Sequence, residues 1–206
     1  MEPREKLQQN RSISQREKTQ RIVAVVAFVV YAGVIVGANW MIGHIGTPIP
    51  GAHVLPVGFG LMAPSGVYLA GAAFVARDVL QRVAGPRVGI AAIVIGALIS
   101  ATVSSAHLAF ASGATFLLSE SCDFLVYTPL QKRNFPLAVV VSGLIADLVD
   151  STVFLTLAGI PLALALEGQL VGKLWVMLAG GLVAAWLRRY EIFSKPSQRL
   201  GRVEFA

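Results

Sequence analysis

Six long apolar blocks constrain this sequence more than any other feature: residues 22–42, 54–76, 88–110, 111–130, 137–160 and 170–187. Each is close to the ~20 residues that cross a bilayer as a helix. With 55% hydrophobic and only 14% charged residues, the 206-residue chain carries more apolar side chain than a soluble globule of this size can bury, so lipid must cover the surplus. A transmembrane β-barrel is set aside because its strands would be about half as long and would alternate apolar with polar residues, which these blocks do not do. The expectation is an all-α integral membrane protein, a compact bundle of six transmembrane helices over residues 22–187, between a polar tail (1–21) and a basic tail (188–206).

Charge sets the orientation. The net charge of +6 would suit a nucleic-acid binder if the basic residues were mixed through the chain, but they are not. Arg4, Lys6, Arg11, Arg16, Lys18 and Arg21 precede the first block; Arg77, Arg82 and Arg87 follow the second; Lys132 and Arg133 follow the fourth; Arg188, Arg189, Lys195, Arg199 and Arg202 follow the sixth. By the positive-inside rule all four segments are cytoplasmic, and so are both termini. The residues before the first block are polar and already carry six Lys or Arg, unlike a cleavable signal peptide, so the first span is expected to stay; the tail is read as irregular or lying on the surface. The lone Cys122, inside a span, excludes an intramolecular disulfide and a cysteine-based zinc cluster.

The segment 43–56 carries Gly-Thr-Pro and Pro-Gly turn signals and reads as the longest outer loop, with His44 and His53 as plain loop residues. Pro86 and Pro136 suit the first turns of helices 3 and 5, and Pro161 is expected to break the chain after helix 5, leaving 162–166 as a short outer segment. Gly33 and Gly37 in helix 1, and Ala92, Gly96, Ser100 and Ser104 in helix 3, recur at helical spacing and should let helix backbones approach closely.

The residues that carry chemistry are the charges inside the blocks. Glu120 and Asp123 in helix 4, Asp147 and Asp150 in helix 5, and Lys173 in helix 6 each cost about 2.5 to 3.5 kcal/mol at a span centre on insertion scales. Together that is on the order of 10 kcal/mol, too much for lipid-facing positions, so they should face a shared polar interior. Glu120, Asp123 and Tyr127 fall at i, i+3 and i+7, and Asp147, Asp150 and Phe154 repeat that interval, giving two acidic stripes that each end in an aromatic. Lys173, fifteen residues before Arg188 and so about 22 Å along the helix, is placed to neutralise one carboxylate. Arg77 and Asp78 are expected nearer the inner surface, as an interfacial ion pair or secondary polar site, and His107 near the outer end of helix 3 is a weaker candidate.

Taken in order, Ala76-Arg77-Asp78-Val79-Leu80-Gln81 before Gly85, Leu108-Ala109-Phe110-Ala111-Ser112-Gly113 leading to Glu120-Ser121-Cys122-Asp123 and Tyr127-Thr128-Pro129-Leu130, and Asp150-Ser151-Thr152-Val153-Phe154 resemble the VUT family, also called the queuosine precursor transporter family. The resemblance covers roughly residues 54–190. It implies a six-helix carrier in the cytoplasmic (inner) membrane that takes up 7-cyano- or 7-aminomethyl-7-deazaguanine, with Asp78, Asp123, Asp150 and Lys173 at the family's intramembrane polar positions. His107 stands where some relatives carry Arg, and Gly71 where some carry Pro, so substrate preference can differ. The chemistry agrees with the residues themselves: a deazaguanine offers a ring N–H and an exocyclic amine that one carboxylate accepts in bidentate fashion, and Phe116, Tyr127 and Phe154 are candidate stacking platforms.

The partners expected are therefore a small heterocycle and the bilayer, with no nucleic acid, metal or cofactor, and with room for a homo-oligomer. Two rival readings remain. One is a substrate-binding membrane subunit of a vitamin-type importer that relies on a separate ATPase, since no Walker A glycine loop is present here. The other is an intramembrane enzyme, in which Asp147-Leu148-Val149-Asp150 would hold Mg²⁺ against a diphosphate as in prenyltransferases. The topology itself is testable: in a Cys122→Ser background, single cysteines replacing Thr47 and Lys132 are expected to react with an impermeant maleimide from opposite membrane faces, and same-side labelling would overturn the six-span arrangement.

Overall fold

The computed structural model describes residues 3–49, 52–106 and 108–196. Helix α1 runs Pro3–His44; three short strands follow, β1 (Thr47–Ile49), β2 (Ala52–Gly58) and β3 (Leu61–Pro64); then come α2 (Val67–Ala84), α3 (Pro86–Val103), α4 (Ala109–Leu130), α5 (Phe135–Leu157), α6 (Leu162–Leu187) and the single turn α7 (Glu191–Ser194). Among the described residues, four helical stretches are long and apolar enough to cross a membrane: Gln15–His44 of α1, all of α3 and α5, and Ala165–Leu187 of α6. The protein is thus a multi-pass helical membrane protein. α2 and α4, 18 and 22 residues long, fall short of that hydropathy because they carry Arg77, Asp78 and Arg82, and Glu120 and Asp123.

Local chemistry accounts for the helix ends. Gly85 adopts a positive φ of 95° to close α2, and Pro86, whose missing N–H is harmless in a first turn, opens α3 at once. Asn134 caps α5, its side chain accepting from the Leu137 backbone N–H at 3.3 Å. Between α5 and α6 the chain turns at Gly159, with φ of 70°, and Pro161. The outer segment expected after Pro161 is not formed: α6 starts at Leu162, so 162–166 are its first turns.

Three further expectations are corrected. The fold is not purely helical, because the segment expected as a loop and the start of the second apolar block form an antiparallel sheet in the order β1-β2-β3. Alternating burial along Ala52–Gly58 explains the strand, and Pro56, Gly58, Gly60 and Pro64 would have broken a helix there. Phe59 (φ 53°) and Gly60 (φ 75°) turn the β2–β3 hairpin with both central residues at positive φ, a backbone matched to strand twist. As a result α2 begins at Val67 rather than Val54 and ends at Ala84, which puts Arg77 and Asp78 inside the helix instead of at its inner end. Finally, the N-terminal tail is helical from Pro3 and continuous with α1.

The bundle is knit by close approaches. The Tyr31 hydroxyl of α1 donates to the Ala92 carbonyl of α3 at 3.0 Å, over Gly96, where any side chain would collide with that hydroxyl and with Phe116. Gly37 packs against Leu69, whereas Gly33 faces open space. Outward, Val25, Val29, Leu98, Leu148, Leu182 and other large apolar residues are exposed, the surface a lipid-facing protein presents. The sheet is docked on α1 by Ser65 Oγ donating to the Met41 carbonyl (2.6 Å) and on α6 by Trp175 Nε1 donating to the Val57 carbonyl (3.1 Å).

At Gly168 the backbone of α6 lies directly on β3, so that an added Cβ would overlap the Met62 carbonyl oxygen. Because both sides of that contact are backbone, Gly168→Ala is expected to cost roughly 1–3 kcal/mol and lower the Tm of the detergent-solubilised protein. Gly33→Ala, with nothing within 4 Å of the new carbon, should leave Tm unchanged in the same assay.

Candidate functional site

Helices α4, α5 and α6 are packed side by side, and the intervals read from the sequence bring their polar residues into the interior. Lys173 of α6 is 1% exposed, and its ammonium donates to Asp150 Oδ2 (2.7 Å), Ser151 Oγ (2.8 Å) and Gln169 Oε1 (3.1 Å). It also pairs with Asp147 Oδ1 at 3.1 Å, and that same oxygen accepts from Ser151 at 2.8 Å. Asp147 and Asp150 therefore share one cation, which sits between the members of the DxxD pair. On the other side, Ser119 of α4 donates to Asp150 Oδ1 at 3.1 Å and joins α4 to α5.

A second ionic group lies between α2 and α4. The Arg77 guanidinium is fully buried; Nε donates to Glu120 Oε2 at 2.8 Å, one terminal nitrogen to Asp123 Oδ2, and the other to Gln81 Oε1 at 2.7 Å. Asp78 Oδ1 is 3.1 Å from the same nitrogen as Gln81. The guanidinium carbon stands 5.5 Å from the centre of the Tyr127 ring and 6.0 Å from that of Phe124, so aromatic faces complete its surroundings. The Tyr127 hydroxyl donates to the Asp78 carbonyl at 2.8 Å, and Gln81 Nε2 to Thr128 Oγ1 at 2.9 Å. A planar fork with five donors suits this many oxygens; an ammonium would not.

One cavity opens beside the Lys173 group, on the side of the bundle nearer the sheet. It has a volume of about 70 Å³, space for several waters at roughly 10–15 Å³ each. Asp150, Lys173 and Gln169 line one part, Phe116, Thr115 and Ser112 another; Phe154, Asn39 and Ser100 contribute polar or aromatic surface, and apolar residues of α1 and α2 the remainder. Among the five acids of the two groups, Asp150 has the most exposed side chain, at 15%; Asp78, Glu120, Asp123 and Asp147 are at most 2% exposed.

The structure thus divides the candidate residues. Asp150, Lys173, Phe116 and Phe154 meet at the cavity. Glu120, Asp123 and Tyr127 do not line it and serve Arg77 instead. Asp147 is held behind Lys173. Arg77 and Asp78, expected at an interface, are 0% and 1% exposed and form the centre of the second group. His107 lies outside the described residues. His44 closes α1 and His53 belongs to β2, neither in the cavity lining. Sequence reasoning missed Thr115, Gln169 and Asn39. Gln169 stands four residues before Lys173, one helical turn away, and Asn39 is a polar residue within an apolar span; both were available signals.

These features define a class: a multi-pass helical membrane protein with two internal ionic groups and a cavity beside one of them. Compared with protein-family models, with curated proteins and with solved structures, the chain matches none.

Removing the guanidinium leaves two carboxylates without their donor. Arg77→Met is therefore expected to cost about 3–5 kcal/mol and to reduce folded yield by fluorescence-detected size exclusion. Combining it with Glu120→Gln and Asp123→Asn should restore part of the yield; a single variant as well folded as wild type would show that the network is not structurally required.

Proposed function

We propose that the protein is a transporter in the cytoplasmic (inner) membrane, with α1–α6 crossing the bilayer and both termini in the cytoplasm, and that it takes up 7-cyano- or 7-aminomethyl-7-deazaguanine, the precursors of queuosine. The resemblance read from the sequence motifs supplies the substrate. The observation that carries the reading is Asp150, the most exposed of the five acids and a lining residue of the cavity. One of its oxygens accepts from Lys173 and the other from Ser119, which leaves each oxygen a further lone pair. Two acceptor sites on one carboxylate are what a ring N–H and a neighbouring amine require. Phe116 and Phe154 line the same cavity and offer faces for a flat ring.

The enzymatic alternative draws no support from this geometry, because Lys173 sits on both carboxylates of the DxxD pair. An intramembrane carboxylate already neutralised by a lysine suits reversible binding of a polar, mostly uncharged solute better than capture of a cation–diphosphate complex.

The test is uptake in cells unable to make the deazaguanine precursor, reading queuosine in tRNA after either compound is fed. Asp150→Asn keeps the volume but turns one acceptor into a donor, so the ligand's donors would face a donor. Queuosine is expected to fall to the level of cells lacking the protein while membrane insertion and folded yield stay near wild type. Normal queuosine with a well-inserted Asp150→Asn variant would remove the chemical support for this substrate.

A further inference from the structure

Gln169 is the polar residue of the cavity whose bonding is half finished. It is 3% exposed, and its carbonyl end is fixed: Oε1 lies 3.1 Å from Lys173 Nζ, and an ammonium can only donate, so the oxygen must face the lysine and the amide nitrogen must face away. That nitrogen, Nε2, has no hydrogen-bond partner. A buried amide with two idle N–H donors is costly in a helical interior, by as much as a lost hydrogen bond to a polar group, unless something else accepts from it. Thr115, 1% exposed and also a cavity residue, has a hydroxyl without a partner as well. Asp150 supplies the complementary chemistry, since it only accepts. It is bound by the same lysine nitrogen as Gln169, at 2.7 Å and 3.1 Å, and both residues line the cavity, which sets an acceptor and an unsatisfied donor group side by side at one small space.

From this juxtaposition we infer that the cavity reads a lactam edge, a ring N–H next to a ring carbonyl, with Asp150 accepting from the nitrogen side and Gln169 Nε2 donating to the carbonyl oxygen. Gln169 is then a specificity-determining residue. Without it, the site would bind any flat molecule with donors for Asp150 between Phe116 and Phe154. With it, a heterocycle that carries an amine or a bare carbon in place of the carbonyl leaves the amide unsatisfied, and an amine adds donor against donor. Lys173 acts as the positioning residue: it holds both readers through one nitrogen and fixes which way the Gln169 amide is turned. The inference rests on the proposed heterocycle site but not on the deazaguanine itself, because any flat lactam meets the same requirement.

The experiment is equilibrium binding to the purified full-length protein in nanodiscs, by calorimetry or competition. The probes are 7-cyano-7-deazaguanine, the same ring system with the carbonyl oxygen replaced by hydrogen or by an amine, and guanine, hypoxanthine and adenine as simpler lactam and non-lactam rings. Wild type is expected to favour each lactam over its non-lactam counterpart by about tenfold or more, since a site built to hydrogen-bond a group rejects the analogue lacking it. Gln169→Met preserves length and removes both donors and the acceptor. It should weaken the lactams toward the affinity of the hydrogen analogue, so that their ratio approaches one, while donor recognition by Asp150 remains. Gln169→Asn, which keeps the amide on a shorter arm, serves as the partner variant in case Met disturbs Lys173; it too should shrink the ratio without abolishing binding.

An unchanged preference in well-folded Gln169→Met, or equal binding of lactam and hydrogen analogue to wild type, would overturn the role of Gln169 and leave the transport reading standing. Selective binding of hypoxanthine or guanine without the deazaguanine would do the reverse. Failure of every probe to bind wild type would sink both.

Discussion

A guanidinium enclosed in the interior of a membrane bundle is the constraint around which the rest is arranged. Arg77 has no water to fall back on, and its charge at this depth would be prohibitive alone, so every nitrogen must find an oxygen within the protein. The sequence meets that demand with two carboxylates one helical turn apart on α4, with Gln81 one turn along α2, and with two aromatic rings. The consequence is that α2 and α4, the two helices with the weakest claim to a lipid environment, are fixed against each other by charge. The four most apolar stretches can then face lipid with ordinary side chains. Arg82, the residue after Gln81, extends the same logic to the end of the helix. Its nitrogens donate to the carbonyls of Gln131, Phe193 and Ser194 at 2.7 to 3.0 Å, and its guanidinium packs 4.8 Å from the centre of the Phe135 ring. One helix thereby ties down the α4–α5 turn and the chain after α6.

Lys173 performs the parallel task for α5 and α6, and the difference between the two cations follows from their chemistry. A guanidinium is a rigid fork that holds a fixed set of oxygens, suited to a permanent joint. An ammonium on a flexible stem makes bonds to Asp147, Asp150, Ser151 and Gln169 that can be rearranged individually. It is the ammonium group, not the guanidinium group, that borders the cavity. Ser119 and Glu120 are adjacent in α4, one bonded to Asp150 and the other to Arg77, so the two groups are neighbours along a single turn of helix. A movement of α4 at the cavity would therefore be felt at the Arg77 joint.

Much of this was legible because intramembrane charge is so expensive that it must be organised. The i, i+3 spacing of Glu120 with Asp123 and of Asp147 with Asp150 placed each pair on one helix face, and the depth of Lys173 predicted an interior partner; both hold. What was not legible traces to one misjudged segment. A hydropathy window sums apolar content and is blind to its period, so Val54, Val57 and Leu61 looked like the start of a span when they belong to strands. Moving the start of the second helix by thirteen residues and its end by eight carried Arg77 from the expected surface into the interior. Asp123 and Glu120 were then left looking like free ligand-binding acids, because the cation that holds them seemed out of reach. Gln169 escaped because it stands one residue before the apolar block 170–187 and so was left outside the last span, whereas α6 begins at Leu162; Thr115 escaped because an uncharged hydroxyl in a span costs too little for its presence alone to signal a site.

On the proposed transport reading, the arrangement around Lys173 also bears on which solutes the cavity would take. With Asp147, Asp150 and Lys173 all ionised, the group carries one negative charge more than positive. A neutral ring that donates to the free lone pairs of Asp150 leaves that balance as it is, and the lysine can keep its three hydrogen bonds and its ion pair with Asp147 while a ligand is bound. A ring bearing an aminomethyl cation would instead cancel the excess, its attraction to the acids set against the cost of its own desolvation. An anionic solute meets the opposite situation: it must either repel Asp150 or draw Lys173 away from two carboxylates, which would strand both in the interior. The same lysine that makes the acids tolerable in a membrane therefore weighs, on that reading, against negative ligands. Neutral and positively charged donors are then the chemistry that the proposed site favours.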